Sequence, residues 1–596
     1  MARGARGEYE TRLERRRIEW RAASRRMRVI GWGRLVCFAG GAAFVWWLHA
    51  RTSLWLGLGA VPVLLFLGLI WLHEVAGRAV RRADRGVRFY TRALDRLRFA
   101  FAGSGKTGER YLEPEHPYAG HLDLFGTGSL FELLCNAQTP SGEDRLARWL
   151  LDPSTPAELR ARQRAVVELT PRLDLREDLA ALGPEVQRGV DEIHLVHWGG
   201  SVVHGVPVRT RVLAGALSIV TALSAAAAVF ADAGLVPLLA ATLADLVFAQ
   251  RWRLYVRGIL RDADRSVREL ELLGELLRRI ERERFAADRL AALQKALRTE
   301  GRLPSAQILR LRRLVELLDW RRNQLFAPVA PFLLWTTQLC FAIAEWRKEC
   351  GPALAKWLEA MGEIEALCDL ATYAYENPDD PFPEIEEDGP LLEAVGLGHP
   401  LIPHDRCVRN DIALGAACAL HVVSGSNMSG KSTWLRTIGT NTVLALAGAP
   451  VRARSMKLRP LAVGASLRAQ DSLQEGRSRF YAEIQCLRRV MELTAGPHPV
   501  LFLLDEVLAG TNSHDRRIGA AALVRQLLEL RAIGLLTTHD LTLAAIVDEL
   551  GAARARNVHF EDHFEGGEMR FDYQLREGVV EKSNALELMR SVGLRV

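Results

Sequence analysis

None of the eight cysteines in this 596-residue chain stands in a Cys-x-x-Cys spacing. That scatter suggests neither a zinc site nor a disulfide framework and fits free thiols in a reducing cytosol. Charge is missing altogether from two runs, Leu35 to Ala50 and Thr52 to His73, which hold no Asp, Glu, Lys or Arg. Each approaches the roughly 20 apolar residues that a bilayer-spanning helix needs. Trp46, Trp47, Trp55 and Trp71 stand near their ends, where a membrane interface favours them. The apolar segments are too long for a cleavable signal peptide. No stretch is of low complexity, and no repeat is visible beyond a second apolar pair.

What is present sorts around those runs. Arginines from Arg3 to Arg34 precede the first run, and Arg78, Arg81, Arg82 and Arg85 follow the second, with Arg51 alone between them. Basic flanks predict a hairpin with both ends cytoplasmic. Val212 to Gln250 reads as a second hairpin, flanked by Arg209 and Arg211 and by Arg251, Arg253 and Arg257, with Asp232 in its turn. Two buried Ala-rich core helices are the alternative there, because Asp245 lies inside the second half. Leu325 to Ala344 is also uncharged, but Pro328 and Pro331 break its early turns, and one more crossing would carry the C-terminal half outside. It reads as a buried core or membrane-skimming helix.

The formal charge of +7 and pI near 9.1 suit nucleic acid or an anionic membrane surface. The basic helix through Arg12, Arg15, Arg16 and Arg17 reads as an interfacial anchor rather than a DNA contact. Asp262 to Arg298 reads as a charged amphipathic helix, and Asn377 to Pro383 as a turn-rich boundary. His559 and His563 sit on a polar stretch expected to be a solvated strand or turn rather than a metal site.

Chemistry concentrates after residue 400. Gly425 to Thr433 spells Gly-Ser-Asn-Met-Ser-Gly-Lys-Ser-Thr, between the apolar run Ala419 to Val423 and a helical stretch from Trp434 to Ala447. This is a P-loop. Gly425 and Gly430 let backbone N–H groups turn toward phosphates, Lys431 reaches the β/γ oxygens, and the Ser432 hydroxyl can bind Mg²⁺. Val500 to Leu504 reads as a buried strand ending in Asp505 and Glu506, a Walker B pair in which Asp505 holds Mg²⁺ and Glu506 orients or deprotonates water. A third strand, Ala532 to Leu536, delivers Thr537, Thr538 and His539 to the same sheet edge, where His539 could sense the γ-phosphate. ATP or GTP binding follows from three strand-end signals in order.

These residues resemble the MutS-type ATPases of the ABC class. Asn427 and Met428 lie in a P-loop similar to that family's. Asp471 to Glu483 looks like its signature segment, and Asp505 to Asp515 its Asp-Glu stretch. Gly398-His399-Pro400 with Asn410-Asp411 resembles its lead into the nucleotide site. Gly128 to Leu130, Thr139 to Gly142 and Trp149 to Pro153 look like the start of the MutS core, Trp346 to Tyr375 its long lever helix, and Glu581 to Leu588 its C-terminal helix.

The resemblance implies ATP with Mg²⁺ as cofactors. It assigns Glu506, His539 and Ser478 to catalysis, with Ser478 acting on a partner subunit's γ-phosphate in a homodimer. Gly425, Asn427, Met428, Gly430, Lys431, Ser432, Thr433 and Asn410 would bind nucleotide, and Ser432 and Asp505 the metal. Ser426 and Ser429 depart from the usual loop while leaving its backbone usable. Cys407 stands where an aromatic residue usually stacks on adenine. Nothing before residue 120 resembles the family's mismatch-reading domain, and no nuclease domain is expected after Val596.

The expected architecture is multi-domain. A basic segment (1–28) and a transmembrane hairpin (29–74) lead into a helical core and lever (75–385) carrying the second hairpin near 212–250. A C-terminal α/β P-loop domain of the ABC class follows (386–596). The expected protein is a membrane-anchored MutS-like ATPase at the cell membrane, its ATPase domain cytoplasmic, with membrane lipid and DNA without mismatch-specific reading as partners. The alternative is a nucleotide-switched membrane scaffold or remodelling protein acting on a protein partner.

Overall fold

The computed structural model describes residues 2–49, 55–231, 233–324, 326–387, 391–426, 428–467, 479–551, 554–565 and 568–580. The chain divides into two compact units. The first comprises residues 1–136, 146–173 and 367–596, and the second residues 137–145 and 174–366.

The first unit begins with two long helices, α1 (Ala2–His49) and α2 (Trp55–Leu97), packed along each other. At 1.5 Å per residue they run about 72 and 65 Å, more than twice the thickness of a bilayer's hydrocarbon core. Their apolar parts are open to solvent: Trp32, Trp46 and Leu64 are exposed. The opposite ends are not. Ala5, Tyr9 and Leu13 are buried, and Tyr9 packs between Tyr90 and Tyr375 at ring distances of 5.8 and 5.6 Å. The first turns of α1 thus form the packed root of the hairpin. Apolar residues at positions 5, 9 and 13 recur every four residues and line one face of α1, while the arginines between them occupy the others.

In the second unit, α3 (Glu192–Gly200) starts at an Asp191 cap whose carboxylate accepts the His194 N–H. The helices α4 (Val208–Phe230) and α5 (Val236–Glu281) form the second hairpin. Thr221 donates to the Asp245 carboxylate at 2.7 Å, both side chains buried. The acidic residue within the apolar run is thus turned inward onto a partner rather than outward. Three helices among the described residues are long and apolar enough to cross a membrane: Gly4–Trp47, Ala60–Leu97 and Val208–Phe230. The fourth expected span, the start of α5, falls outside that set: Asp245 lies inside it, and Arg251 and Arg253 follow directly after Gln250.

Of the run expected as a buried or membrane-skimming helix, residues 326–333 are largely exposed, Val329 and Phe332 among them, with Ala330 buried, and regular burial begins at Leu334. Pro331–Leu333 forms a single 3-10 turn before α6 (Trp335–Cys350), and Leu334 and Phe341 are buried against Val206 and Ala214. Ser218 donates to the Leu333 carbonyl at 2.7 Å and fixes the turn. The lever expected as one helix from Trp346 to Tyr375 is broken. α6 stops at Cys350, Gly351–Ala353 makes a 3-10 turn, and α7 (Leu354–Glu376) begins anew. Pro352 withholds the N–H that a continuous helix needs. Gly351 sits against Gly199 so closely that a Cβ on it would lie 2.3 Å from the Gly199 carbonyl oxygen.

The C-terminal part of the first unit holds two sheets. One contains β1 (Glu384–Ile385), β2 (Leu392–Leu397), β3 (Asn410–Leu414) and β5 (Ser455–Leu458), in the order β1-β5-β2-β3. The other contains β4 (Leu420–Ser424), β6 (Ala462–Ser466), β7 (Val500–Asp505), β8 (Ile533–Thr538), β9 (Ala555–Glu565) and β10 (Glu568–Glu577). Its order is β10-β9-β4-β8-β7-β6, parallel except for the terminal β9–β10 hairpin. The continuous apolar runs Leu501–Leu504 and Ile533–Leu536 suit strands buried on both faces. The helices α8 (Lys431–Ala447), α9 (Arg479–Glu492) and α10 (Ser513–Glu529) complete the α/β arrangement.

Candidate nucleotide site

Strand order assembles the site. β8 lies between β4 and β7, with Ser424 paired to Thr538 and Asp505 to Thr537. The glycine loop after β4, the acidic pair ending β7 and the threonine–histidine ending β8 therefore meet at neighbouring carboxyl ends, where open α/β sheets bind ligands.

The loop turns sharply at Gly425 and Gly430, whose φ angles of 149° and 103° belong to glycine. Lys431, at the first turn of α8 and 5% exposed, bends back and donates to the Gly425 and Ser426 carbonyls at 2.7 and 3.0 Å. The Glu506 carboxylate stands 3.4 Å from Lys431 Nζ through one oxygen and 3.5 Å from His539 Nδ1 through the other. Glu506 itself has φ 47°, an unfavourable backbone for a non-glycine residue, as does Leu508 at 58°. Side chains hold that strained turn. Thr537 accepts the Glu506 N–H at 3.0 Å while donating to Asp505, and Glu483 accepts the Leu508 N–H.

A cavity of about 430 Å³ opens over this constellation, lined by Met428, Gly430, Ser432, Thr433 and Glu506 on one side and by His399, Cys407 and Tyr573 on the other. Its loop carries two buried hydroxyls, Ser426 Oγ and Ser429 Oγ, without a hydrogen-bond partner. Donors left this way, beside a cation and a helix N-terminus, fit phosphate oxygens. His399 is buried and accepts the Leu401 N–H at 3.2 Å. Burial, with Arg436 and Arg452 nearby, pushes its pKa down to about 4.

Of the sequence-predicted residues, Met428, Gly430, Lys431, Ser432, Thr433 and Glu506 line the cavity; Gly425 joins them through Lys431, Asp505 through Thr537 and His539 through Glu506, while Asn427 and Ser478 lie outside the described residues. Asn410 reaches the cavity wall, but its carboxamide is engaged. It donates to the Tyr573 carbonyl at 3.0 Å and accepts the Leu575 N–H at 2.8 Å, pinning β10 beside the loop. Tyr573 is the residue that sequence reasoning missed. It carries φ 56° and lies so close to the loop that a Cβ on Gly430 would be 3.0 Å from its ring. No sequence spacing ties it to the loop, and the bulge between Phe571 and Leu575 that carries it shows only in the register of β9 with β10. His559 and His563 lie on β9, where His559 contacts the Gly578 carbonyl and Glu561, and no metal cluster occurs among the described residues.

Residues 118–495 match MutS domain III, and residues 421–595 match MutS domain V. The DNA mismatch repair protein MutS of Natronomonas pharaonis is 33% identical over 240 residues, 39% of this chain and 27% of that protein. MutS 1 of Halobacterium salinarum is 33% identical over 239 residues, with the same shares covered. MutS 2 of the same organism is 31% identical over 261 residues, 43% of this chain and 29% of that protein. The chain thus spans under a third of the length of these curated relatives. With the domain III match alone reaching across more than half of its residues, the chain belongs to the MutS family.

Proposed function

We propose that this protein is a membrane-anchored ATPase of the MutS type that hydrolyses ATP in the cavity between the glycine loop and Tyr573. The observation carrying this reading is the convergence of Lys431 and His539 on the two oxygens of Glu506. ATP with Mg²⁺ supplies the phosphoryl group that water attacks. Lys431 would leave the loop carbonyls to neutralise phosphate charge, and Ser432 and Asp505 would hold the metal. Glu506 would orient the water and take its proton, with His539 fixing the second carboxylate oxygen. Tyr573 would stack on the base in place of an aromatic residue at Cys407. Two copies would share each nucleotide, Ser478 of one facing the γ-phosphate held by the other, as the family resemblance implies.

The exposed apolar sides of α1, α2 and α4 support insertion in the cell membrane, and the arginines flanking the hairpins support a cytoplasmic nucleotide site. DNA without mismatch-specific reading is the proposed partner, on the strength of what the relatives are named for. The test is ATP hydrolysis by the detergent-solubilised protein together with DNA affinity titrated against salt. The reading expects Mg²⁺-dependent hydrolysis and an affinity that falls steeply as salt rises. Hydrolysis without DNA affinity at low salt would replace the DNA partner by a protein one; absence of hydrolysis and of nucleotide binding would end the ATPase reading.

A further inference from the structure

A buried polar chain joins the root of the α1/α2 hairpin to the helix that follows the glycine loop. Arg96, one residue from the end of α2, grips Glu376 at the end of α7 through Nε, 3.1 and 3.0 Å from the two carboxylate oxygens, and donates to Asn136 at 2.8 Å. Tyr9 of α1 donates to the same carboxylate at 3.3 Å. The next residue, Asn377, accepts from Arg452 at 3.3 Å. Arg452 is 1% exposed and donates further to Asp380 at 3.1 Å and to the Ile402 carbonyl at 3.1 Å. Its guanidinium lies 5.9 Å from the Phe99 ring, two residues beyond α2. Its backbone N–H donates to Asn441 of α8 at 2.8 Å, and Asn441 in turn donates to the carbonyls of Gly398 and Thr437. Ile402 and Thr437 both line the nucleotide cavity.

Buried ion pairs contribute little net stability, because desolvation of both charges offsets their attraction, and apolar residues of similar volume often do as well. Two such pairs in series, each using most of its donors, fix geometry more than they stabilise the fold. We infer that Arg452 is a positioning residue that locks α8 and the cavity wall to the root of the apolar hairpin, so that nucleotide binding tightens the hairpin's base. This inference rests on the ATP reading of the cavity and adds to it a route from nucleotide to membrane segment. Arg452 touches no reacting atom; it acts through Asn441, Ile402 and Asn377.

The experiment is backbone hydrogen exchange on the full chain in lipid nanodiscs, with and without Mg²⁺·ADP at about 100 times its dissociation constant, ADP binding being measured separately. A ligand at that level slows exchange about 100-fold in the cooperative unit it stabilises. The expected result is slowing of that order both in residues 431–447 and in residues 5–13 and 88–97. In Arg452→Met/Asp380→Asn, which removes both charges together, ADP should still slow exchange in 431–447 while its effect at the hairpin root falls below about threefold. A second pair, Arg96→Met/Glu376→Gln, cuts the other end and should give the same pattern. Failure of ADP to bind the unaltered protein overturns the ATP reading. Binding that protects 431–447 and leaves the hairpin root unchanged overturns the coupling alone, and so does protection of the root that survives both double variants. The measurement on the unaltered chain decides the coupling even where a variant fails to fold.

Discussion

Lys431 Nζ lies 3.4 Å from a carboxylate oxygen of Glu506, while its hydrogen bonds go to the loop carbonyls of Gly425 and Ser426. The lysine is held ready for a stronger acceptor than a peptide oxygen. Lys431→Ala should weaken ATP binding by roughly tenfold to a hundredfold, the worth of a charge-assisted hydrogen bond. Glu506→Gln keeps the shape of the site and should leave binding within about twofold while lowering turnover by about 10² to 10⁴. Equilibrium binding of a fluorescent ATP analogue and steady-state phosphate release separate the two. Equal loss of binding in both variants would overturn the assignment.

Tyr573 faces the loop from β10, held there by the two hydrogen bonds of Asn410. If its ring stacks on the base, Tyr573→Ala should cost about 1–3 kcal/mol of nucleotide affinity and Tyr573→Phe almost none. Asn410→Ala should weaken binding in the same direction by freeing β10. Calorimetric titration with ADP checks all three, and unchanged affinity in Tyr573→Ala would remove the ring from the site.

Legibility in the sequence followed the range of the interactions. The glycine loop, the Asp505–Glu506 pair and the strand before His539 are short-range patterns, and the structure places them on adjacent strands. Tyr573 and Arg452 were not legible as site residues, since each acts on a segment with no fixed spacing from it. The same holds for Arg96 with Glu376, 280 residues apart. The burial of Ala5, Tyr9 and Leu13 was not legible, because their covering residues, Tyr90 and Tyr375 among them, stand far off in the sequence. The break in the lever was there to be read: Gly351-Pro352 is a turn dipeptide, but the pull of a long helix expected from the family hid it.

The Gly199–Gly351 contact makes a sharp stability prediction. A Cβ on Gly351 would meet the Gly199 carbonyl oxygen at 2.3 Å, a backbone atom that cannot swing away, whereas one on Gly200 meets nothing within 4 Å. Gly351→Ala should destabilise the second unit by about 1–3 kcal/mol, and Gly200→Ala should stay within about 0.5 kcal/mol of the parent. Thermal melting in mild detergent compares them. Equal melting of the two variants would mean that the helices separate at no cost.

Topology can be tested because native thiols interfere little: of the eight, only Cys37 and Cys407 are even half-buried, the others being buried. Exposed Ala231, at the tip of the second hairpin, should accept an impermeant thiol reagent from outside intact cells after Ala231→Cys. Exposed Ala495 should accept it after Ala495→Cys only once cells are opened. External labelling at 495 would reverse the orientation. Labelling at 231 only in opened cells, with carbonate-resistant membrane association, would mean that α4 and α5 pack inside the cytoplasmic part and that α1 and α2 alone anchor the chain.

His399 gives the protein a defined acid sensitivity. Burial, aided by Arg436 and Arg452, lowers its folded-state pKa from 6.5 to about 4, so the folded chain keeps it neutral while the unfolded chain protonates near pH 6.5. Its contribution to stability is therefore complete above pH 6.5 and is lost as pH falls from there toward 4, at about 1.4 kcal/mol per pH unit. His399→Asn keeps an acceptor for the Leu401 N–H and removes the titration. Other buried acids and bases titrate in both proteins and cancel in the difference. The stability of the parent minus that of His399→Asn should then be constant from pH 8 to 7 and fall by up to about 3 kcal/mol between pH 6.5 and 4. Melting of both proteins across that range measures it, and a difference that stays flat would mean that the imidazole takes up its proton inside the fold without penalty.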